Sequence, residues 1–392
     1  MTRKLAITGA SGQVGRLVVP RLSGSGIELV LLGRDPSRIR TIFPEHAAFG
    51  YDDMSAAFTG CDAILHLAVT NNDSSASLEK MRIVNVDFLL KVATAARDGG
   101  IRKFINATTL HALDARRTDL YSQTKREGES ALAAMSEMDV VQLRLPSVYG
   151  DRFGGRLGAL NRLPLFARRP AARIVGAFFP VVYADRVAAA VSGILNGDLA
   201  GDVICTDPPE ENAIYRCARR GLDLAFAFAV IFFLGWLMVI VWIAVRLTSP
   251  GPGLFAQSRV GRGETVFTCY KFRTMAEDAP QAGTHEVAPG HITPLGRFLR
   301  KTKIDELPQV WNVARGEMNL VGPRPCLPSQ TELIDRRRKL GVFECTPGVT
   351  GLAQVGGIDM SEPEKLARVD AEYCRLRTIV LDIKLLFATI FH

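Results

Sequence analysis

Along the first 210 residues, short apolar runs alternate with stretches whose apolar positions recur every three to four residues. The runs Leu5–Thr8, Glu28–Leu32, Ala63–Leu67, Lys103–Asn106 and Val140–Leu143 are short and bounded by polar breaks, so they predict strands. Helical spacing over Val14–Leu22 and Val84–Arg97 falls between them. That alternation predicts βαβ units and a doubly wound parallel sheet of the α/β class. The pattern breaks at residues 207–212 (DPPEEN), a polar, proline-containing linker. Arg219-Arg220 then precede an uncharged stretch, Leu224–Val245, of 22 residues. It has no polar face and carries Phe226, Phe228, Phe232, Phe233, Trp236 and Trp242, which sets it apart from a buried helix of a soluble core. As a helix it is long enough for a hydrocarbon core of about 30 Å. Beyond Pro250 the chain is basic and rich in Gly and Pro to about residue 360, with no second long apolar run. The last segment, Ile379–Phe391, is short and amphipathic, suited to a membrane interface or to packing on a domain. The expected organisation is therefore 1–208, a linker 209–218, a membrane segment 219–248 and a second domain 249–392.

Composition changes this picture little. Charged residues at 22% and apolar ones at 47% exclude a disordered chain. The net charge of +8 fits either an ordinary basic protein or one that meets anionic phosphates or an anionic leaflet. No nucleic-acid partner is expected. The seven cysteines, Cys61, Cys205, Cys217, Cys269, Cys326, Cys345 and Cys374, include no CxxC pair. They suggest neither a zinc site nor a disulfide framework, and fit a reducing cytosol. The N-terminus enters a strand pattern without a signal-peptide h-region.

The first turn reads Thr8-Gly9-Ala10-Ser11-Gly12-Gln13-Val14-Gly15, between a strand and a helix. Gly9 permits a tight turn, Gly12 lets backbone approach a pyrophosphate, and Gly15 allows close helix packing. The helix N-terminus, opened by Gln13 and Val14 behind Ser11, then faces the phosphates. The second strand ends in Gly33-Arg34, without the acid that an NAD site uses to hold the ribose 2′-hydroxyl. A guanidinium there suits a 2′-phosphate and favours NADP over NAD; a surface arginine is the plain alternative. Tyr121 and Lys125 are four apart on a helical pattern, so they share a face. An ammonium beside a phenol lowers its pKa and suits it to general acid/base work. Thr108 and Thr109 end the strand that would meet them, and either hydroxyl is in register.

These residues, with AILHLA, FINATTLHA, YSQTK, LRLPSVYGD and PVVYADRVAAAV, resemble the extended short-chain dehydrogenase/reductase family that acts on nucleotide sugars, the NAD-dependent epimerase/dehydratases. The resemblance implies a Rossmann-like fold and hydride transfer at a sugar carbon. It puts Thr109 in the serine/threonine role, Tyr121 as acid/base and Lys125 as its tuner. Dehydratases follow the threonine with Asp-Glu, whereas Leu110-His111 stand here, so reduction or epimerisation at C4 is expected rather than dehydration. A domain that only binds nucleotide sugar is the non-catalytic alternative.

In the second domain, Arg259, Arg262, Lys271, Arg273, Arg297, Arg300, Lys301, Lys303 and Arg324 suit a diphosphate and a lipid phosphate. Among them lies the adjacent acid pair Asp305-Glu306. A carboxylate can attack phosphorus, and a second can help hold Mg²⁺; capping a helix is the bland alternative. SRVGRGETVFTCYKFRTM, LRKTKIDELPQVWNVARGEMNLVGPRP and TPGVTGLAQVGG resemble the bacterial sugar transferases, the monotopic polyprenyl-phosphate phosphoglycosyl transferases, over residues 215–392. The resemblance implies transfer of sugar-1-phosphate from a UDP-sugar to undecaprenyl phosphate through a covalent enzyme intermediate. Asp305 matches the nucleophile, and Glu306 its partner at Mg²⁺. Arg324 and Gln354 match the phosphate and substrate region, and Lys271 and Arg273 are structural or phosphate-facing. A homodimer is left open.

An NADP-linked domain and a nucleotide-sugar domain both need the cytosol, so the apolar segment is expected to enter and leave on one face of the bacterial inner membrane, in contact with cytoplasmic-leaflet lipids. Flanking arginines on both sides agree with this. The family breaks this helix with Ser-Pro. Here Leu234-Gly235-Trp236 stand in that place, so the expected re-entrant bend falls on Gly235.

Overall fold

A computed structural model of the chain describes residues 3–70, 77–115, 117–135, 137–153, 155–276 and 291–391. It forms two compact units, 1–176 with 180–208, and 177–179 with 209–392.

The first unit is built on strands β1 (Lys4–Thr8), β2 (Glu28–Leu32), β3 (Ala47–Phe49), β4 (Ala63–His66), β5 (Lys103–Thr109) and β6 (Asp139–Leu145). A short parallel ribbon follows, β7 (Ser147–Tyr149) with β8 (Val181–Tyr183), and β9 (Asp202–Ile204) closes the main sheet. That sheet has seven parallel strands in the order β3-β2-β1-β4-β5-β6-β9. The order reverses at β1, the switch point where a doubly wound sheet opens a crevice at its strand ends. Each face carries its own apolar cluster. Leu5, Ile7, Leu29, Leu31 and Leu65 point to one side, and Ala6, Val30, Leu32, Ile64 and Phe104 to the other. Alternate residues of the same strands fill both, as the period of two requires. All five predicted strands are present. β5 and β6 run further than expected, to Thr109 and Leu145, because they pair with each other along their whole length. The helix expected over Val84–Arg97 begins earlier, at Leu78, and contains a π-turn over Ile83–Phe88.

The second unit opens with one helix, Ala213–Thr248, of 36 residues. Asn212 caps it, its side chain accepting from the N–H groups of Ile214 and Tyr215. The bend expected at Gly235 is not there: the helix runs through it without interruption. Glycine keeps its N–H, so the i→i−4 ladder is intact where proline would have broken it. A stripe along the helix packs on the rest of its own unit. Tyr215 reaches Asp382, Ala227 and Val230 join Val310, Val313 and Leu320, and Val241 and Val245 join Phe272 and Leu299. The other face presents Phe228, Phe232, Phe233, Trp236, Val239 and Ile240 to the outside.

Behind the helix, β10 (Leu254–Val260) and β11 (Val266–Phe272) form an antiparallel hairpin, and β12 (Asn319–Val321) pairs in parallel with β13 (Gly348–Thr350). Buried Asn312 pins the helix Val310–Arg315 to β11, accepting from Tyr270 N–H and donating to the Thr268 carbonyl. The C-terminal helix Ile379–Ile390 buries Asp382 and Leu385 and exposes Ile383, Phe387 and Ile390. Cys345 and Cys374 are joined by a disulfide, contrary to the expectation of free thiols throughout. They lie 29 residues apart, a spacing without local signal, and meet because the turn Val342–Glu344 packs on the helix Pro363–Leu376.

Candidate functional sites

In the first unit, Gly9 has φ +73°, and a Cβ there would lie 2.7 Å from the Ala68 nitrogen. A side chain at Gly15 would meet the Ala10 carbonyl, so the helix Gln13–Ser23 starts hard against the strand-end turn. Gly12 stands at the N-cap without a side chain to satisfy the first N–H groups, which leaves them available to an anion. Ser11 Oγ lies near Gly33, and Arg34 is exposed beside them, with no salt bridge among the described residues. Tyr51, which the sequence reading missed, accepts from Gly9 N–H at 3.1 Å and packs on Phe88.

Tyr121 and Lys125 share the helix Leu120–Ala133, capped by Asp119. Lys125 is buried and donates to the Ala107 carbonyl at 3.2 Å. Burial brings its ammonium down to about 8, with Glu129 opposing the shift. The two threonines separate in role. Thr108 donates to Glu129, which also binds Arg144 at 3.1 Å, whereas Thr109 Oγ1 accepts from His111 N–H at the strand end. Asn85, also missed, sits in the π-turn. It accepts from Thr70 N–H and donates to Thr124 Oγ1, one turn from Tyr121. Its signal was a lone amide between Val84 and Val86.

In the second unit, Asp305 and Glu306 lie in a 3₁₀ turn, Ile304–Gln309, directly after the helix Pro294–Thr302. The junction is Lys303 at φ +59°, a left-handed conformation that is unfavourable for a side-chain-bearing residue. Ile304 and Leu307 pack against Val241 and Val245 of the long helix, which fixes the turn. Glu306 Oε1 accepts from Lys271 Nζ at 2.8 Å and from Arg324 Nη2 at 3.3 Å. Burial alone would raise its pKa, but Lys271, Arg324 and Lys303 outweigh it and hold the carboxylate down to about 2. Asp305 is pushed the other way, first by burial and then by the charge of Glu306. Its Oδ1 is buried without a hydrogen-bond partner. A small pocket lined by Arg259, Lys271, Gln309, Arg324, Gly348 and Val349 opens beside Glu306.

The remaining sequence candidates are more distant in role. Arg273 does not line that pocket; it donates to the Ser249 carbonyl at the end of the long helix, with Nε and Nη1 unpartnered. Gln354 has both amide atoms buried and unpartnered, as a residue waiting for a polar ligand would. Gln309, 4% exposed and on the pocket wall, was missed although it lies in the same turn as the acid pair. No cluster of three or more metal-ligating side chains occurs among the described residues. The acid pair still suits Mg²⁺, which takes one or two carboxylates and completes its shell with substrate phosphates and water. Asp305 Oδ1, buried without a hydrogen-bond partner, has the chemistry such a site would use.

Comparison with known proteins matches residues 214–392 to the bacterial sugar transferase family and residues 5–176 to the NAD dependent epimerase/dehydratase family. A UDP-glucose:undecaprenyl-phosphate glucose-1-phosphate transferase of Caulobacter vibrioides is 36% identical, over 44% of this chain and 68% of that protein. A UDP-N-acetylgalactosamine-undecaprenyl-phosphate N-acetylgalactosaminephosphotransferase of Aeromonas hydrophila is 35% identical, over 45% of this chain and 44% of its own length. Among solved structures, a UDP-N-acetylglucosamine 4-epimerase from Bacillus cereus matches at 17% identity and a TM-score of 0.42, covering 52% of this chain and 76% of that one. The chain belongs to the bacterial sugar transferases, with an epimerase/dehydratase-type domain ahead of the transferase part. It spans less than half the length of the Aeromonas hydrophila protein and of an undecaprenyl-phosphate glucose phosphotransferase of Komagataeibacter xylinus.

The two carboxylates predict opposite titrations. As the pH falls, Asp305 is expected to take up its proton above its ordinary value of 3.8, while Glu306 stays ionised. In Lys271→Met, Glu306 loses its nearest cation and its protonation moves to higher pH, a shift that a carboxylate infrared titration of the full chain reads.

Proposed function

We propose that the second unit transfers sugar-1-phosphate from a UDP-sugar to undecaprenyl phosphate by two successive displacements at one phosphorus. The observation that carries the reading is the asymmetry of the acid pair: Glu306 is locked by Lys271 and Arg324, while Asp305 keeps a buried oxygen without a partner. The Asp305 carboxylate attacks the phosphorus bearing the sugar. The bond to the bridging oxygen breaks, UMP leaves, and a sugar-phosphoryl aspartate remains. A phosphate oxygen of the lipid then attacks the same phosphorus. The bond to Asp305 breaks, the carboxylate returns, and the lipid leaves as a polyprenyl diphosphate sugar. Arg259, Lys271 and Arg324 on the pocket wall hold the diphosphate and oppose its charge. Mg²⁺, held by Asp305 and Glu306 together with the diphosphate oxygens, would add to that neutralisation.

Packing, rather than a bend, supports the membrane placement we propose. A 36-residue helix is about 54 Å long. Its first turns, its middle and its last turns all rest on the same unit. A helix held that way lies along the cytoplasmic leaflet of the inner membrane with its aromatic face in lipid, and the chain on either side of it stays in the cytosol. The exposed face of the C-terminal helix adds Ile383, Phe387 and Ile390 to the same kind of surface.

In the first unit, NADP is the cofactor we assign, on Arg34 and Ser11 beside the glycine turn. Tyr121 is the acid/base, Lys125 its tuner and Thr109 the hydroxyl partner. The reaction is hydride transfer at C4 of a nucleotide sugar, by reduction of a 4-keto form or by epimerisation. Its product would feed the transferase on the same chain, a link that raises local concentration.

Two variants test these assignments. Asp305→Asn in the full chain is expected to abolish UMP release from UDP-sugars, because an amide cannot form the phosphoryl intermediate; full turnover in that variant would exclude Asp305 as nucleophile. Tyr121→Phe is expected to lower NADPH oxidation by a 4-keto-sugar nucleotide by roughly a hundredfold or more, the scale of general acid catalysis. UMP release from a finished UDP-sugar should be unchanged in Tyr121→Phe. If the wild type leaves NADPH untouched with every such substrate, the domain only binds.

A further inference from the structure

The disulfide stands in a domain whose proposed substrates are cytosolic, where thiols are ordinarily kept reduced and bridges that do form are redox-sensing or transient. Cys345 and Cys374 have Cα atoms 6.1 Å apart, a separation at which a bridge closes without moving the backbone. Their surroundings differ. Cys345 is buried, and the guanidinium of Arg377, itself 5% exposed, donates to its sulfur while also pairing with Glu210. Cys374 is half-buried, the more exposed of the two.

The position of the pair connects it to the site. Cys345 stands three residues before Gly348, which with Val349 forms one wall of the Arg259–Lys271–Arg324 pocket. Gly348 donates to the Pro323 carbonyl, and β13 pairs with β12 just ahead of Arg324. Cys374 follows Tyr373, whose hydroxyl holds Asp382. A bond between the two sulfurs thus adds a covalent tie between the pocket wall and the helix Pro363–Leu376, beside the Arg337–Asp370 pair and the Tyr373–Val321 hydrogen bond, and its reduction removes the covalent tie alone.

We propose that Cys345 and Cys374 are a reversible thiol–disulfide modification site that sets the transfer rate through the Thr346–Val349 wall. This rests on the transferase reading of the second unit. A small disulfide such as oxidised glutathione is the oxidant. The Cys374 thiolate, the more exposed of the two, attacks one of its sulfurs, forming a mixed disulfide and releasing one glutathione thiolate. The Cys345 thiolate, beside Arg377, attacks the Cys374 sulfur and releases the second. The net change is two protein thiols and one oxidised glutathione converted to one protein disulfide and two glutathione thiols. The bridged form is the slower one, because a wall held in one position must serve first a nucleotide diphosphate and then a lipid phosphate.

The test uses the full chain in lipid nanodiscs, equilibrated in glutathione buffers from fully reduced to fully oxidised. Alkylation mass spectrometry reads the state of Cys345 and Cys374, and UMP release reads the rate. The expected result is a bridge that opens and closes across the cytosolic range of glutathione ratios, with a roughly tenfold slower bridged form, in keeping with a small displacement of positioned groups. Cys345→Ser and Cys374→Ser should each keep the reduced rate at every ratio. A bridge that never forms, one that cannot be reduced in that range, a bridge without a rate change, or a rate response surviving in both serine variants would overturn the proposal. Absence of UMP release in every state would instead sink the transferase reading. The alkylation pattern would then decide the proposal by itself, with a bridge that neither opens nor closes counting against it.

Discussion

The second unit depends on one buried carboxylate. Asp382, 3% exposed, accepts from the hydroxyls of Tyr215 at 2.8 Å and Tyr373 at 2.7 Å, and Arg219 donates to that same Tyr215 hydroxyl. Arg219 also donates to the Val321 carbonyl, and Asp223 accepts from Leu320 N–H. Five side chains from the long helix, the helix Pro363–Leu376 and the C-terminal helix, with two backbone groups of β12, therefore satisfy one another away from water. Such a network is favourable only when complete, since an unpaired member would retain its full desolvation cost. It fixes the start of the apolar helix against the strand that leads to Arg324. Without it the helix would be an ordinary hydrophobic segment free to cross a bilayer.

The site inherits its geometry from that frame. Arg337, ion-paired with Asp370 at 2.6 Å and fully buried, donates to the Arg324 carbonyl and so fixes the backbone of a residue that touches Glu306. From the other end of the long helix, Val241 and Val245 support the turn that carries Asp305. The same helix thus anchors both sides of the acid pair, and its outer face is the one that would meet lipid. In the transfer we propose, a soluble donor and a lipid-borne acceptor have to reach one phosphorus, and a site built against an exposed apolar helix suits that requirement.

Much of this was legible in the sequence, and the parts that were not have physical reasons. The parallel sheet could be read because its strands are buried on both faces and appear as apolar runs; β3 and β9 span only three residues each and leave no comparable pattern. The acid pair was visible as adjacent carboxylates among cations, but its asymmetry was not, because Lys271 and Arg324 reach Glu306 from distant segments. Tyr51 and Asn85 act through contacts 42 and 15 residues away, to which local spacing is blind. The break expected at Gly235 was inferred from the position of a missing proline. In the structure, glycine leaves the helix whole, and what holds the helix along its own unit is side-chain packing that no periodicity encodes.

The central claim is that the long helix begins and ends on one side of the membrane, held there by a single unit. Single accessible cysteines placed near residues 210 and 251, in a chain whose native cysteines are replaced by serine, can be labelled in intact cells by a membrane-impermeant reagent applied before and after permeabilisation. The account predicts that both positions stay unlabelled until the membrane is opened, in protein that retains UMP release. Labelling of one position in intact cells, with the other still protected, would mean that the helix crosses the bilayer and would contradict it.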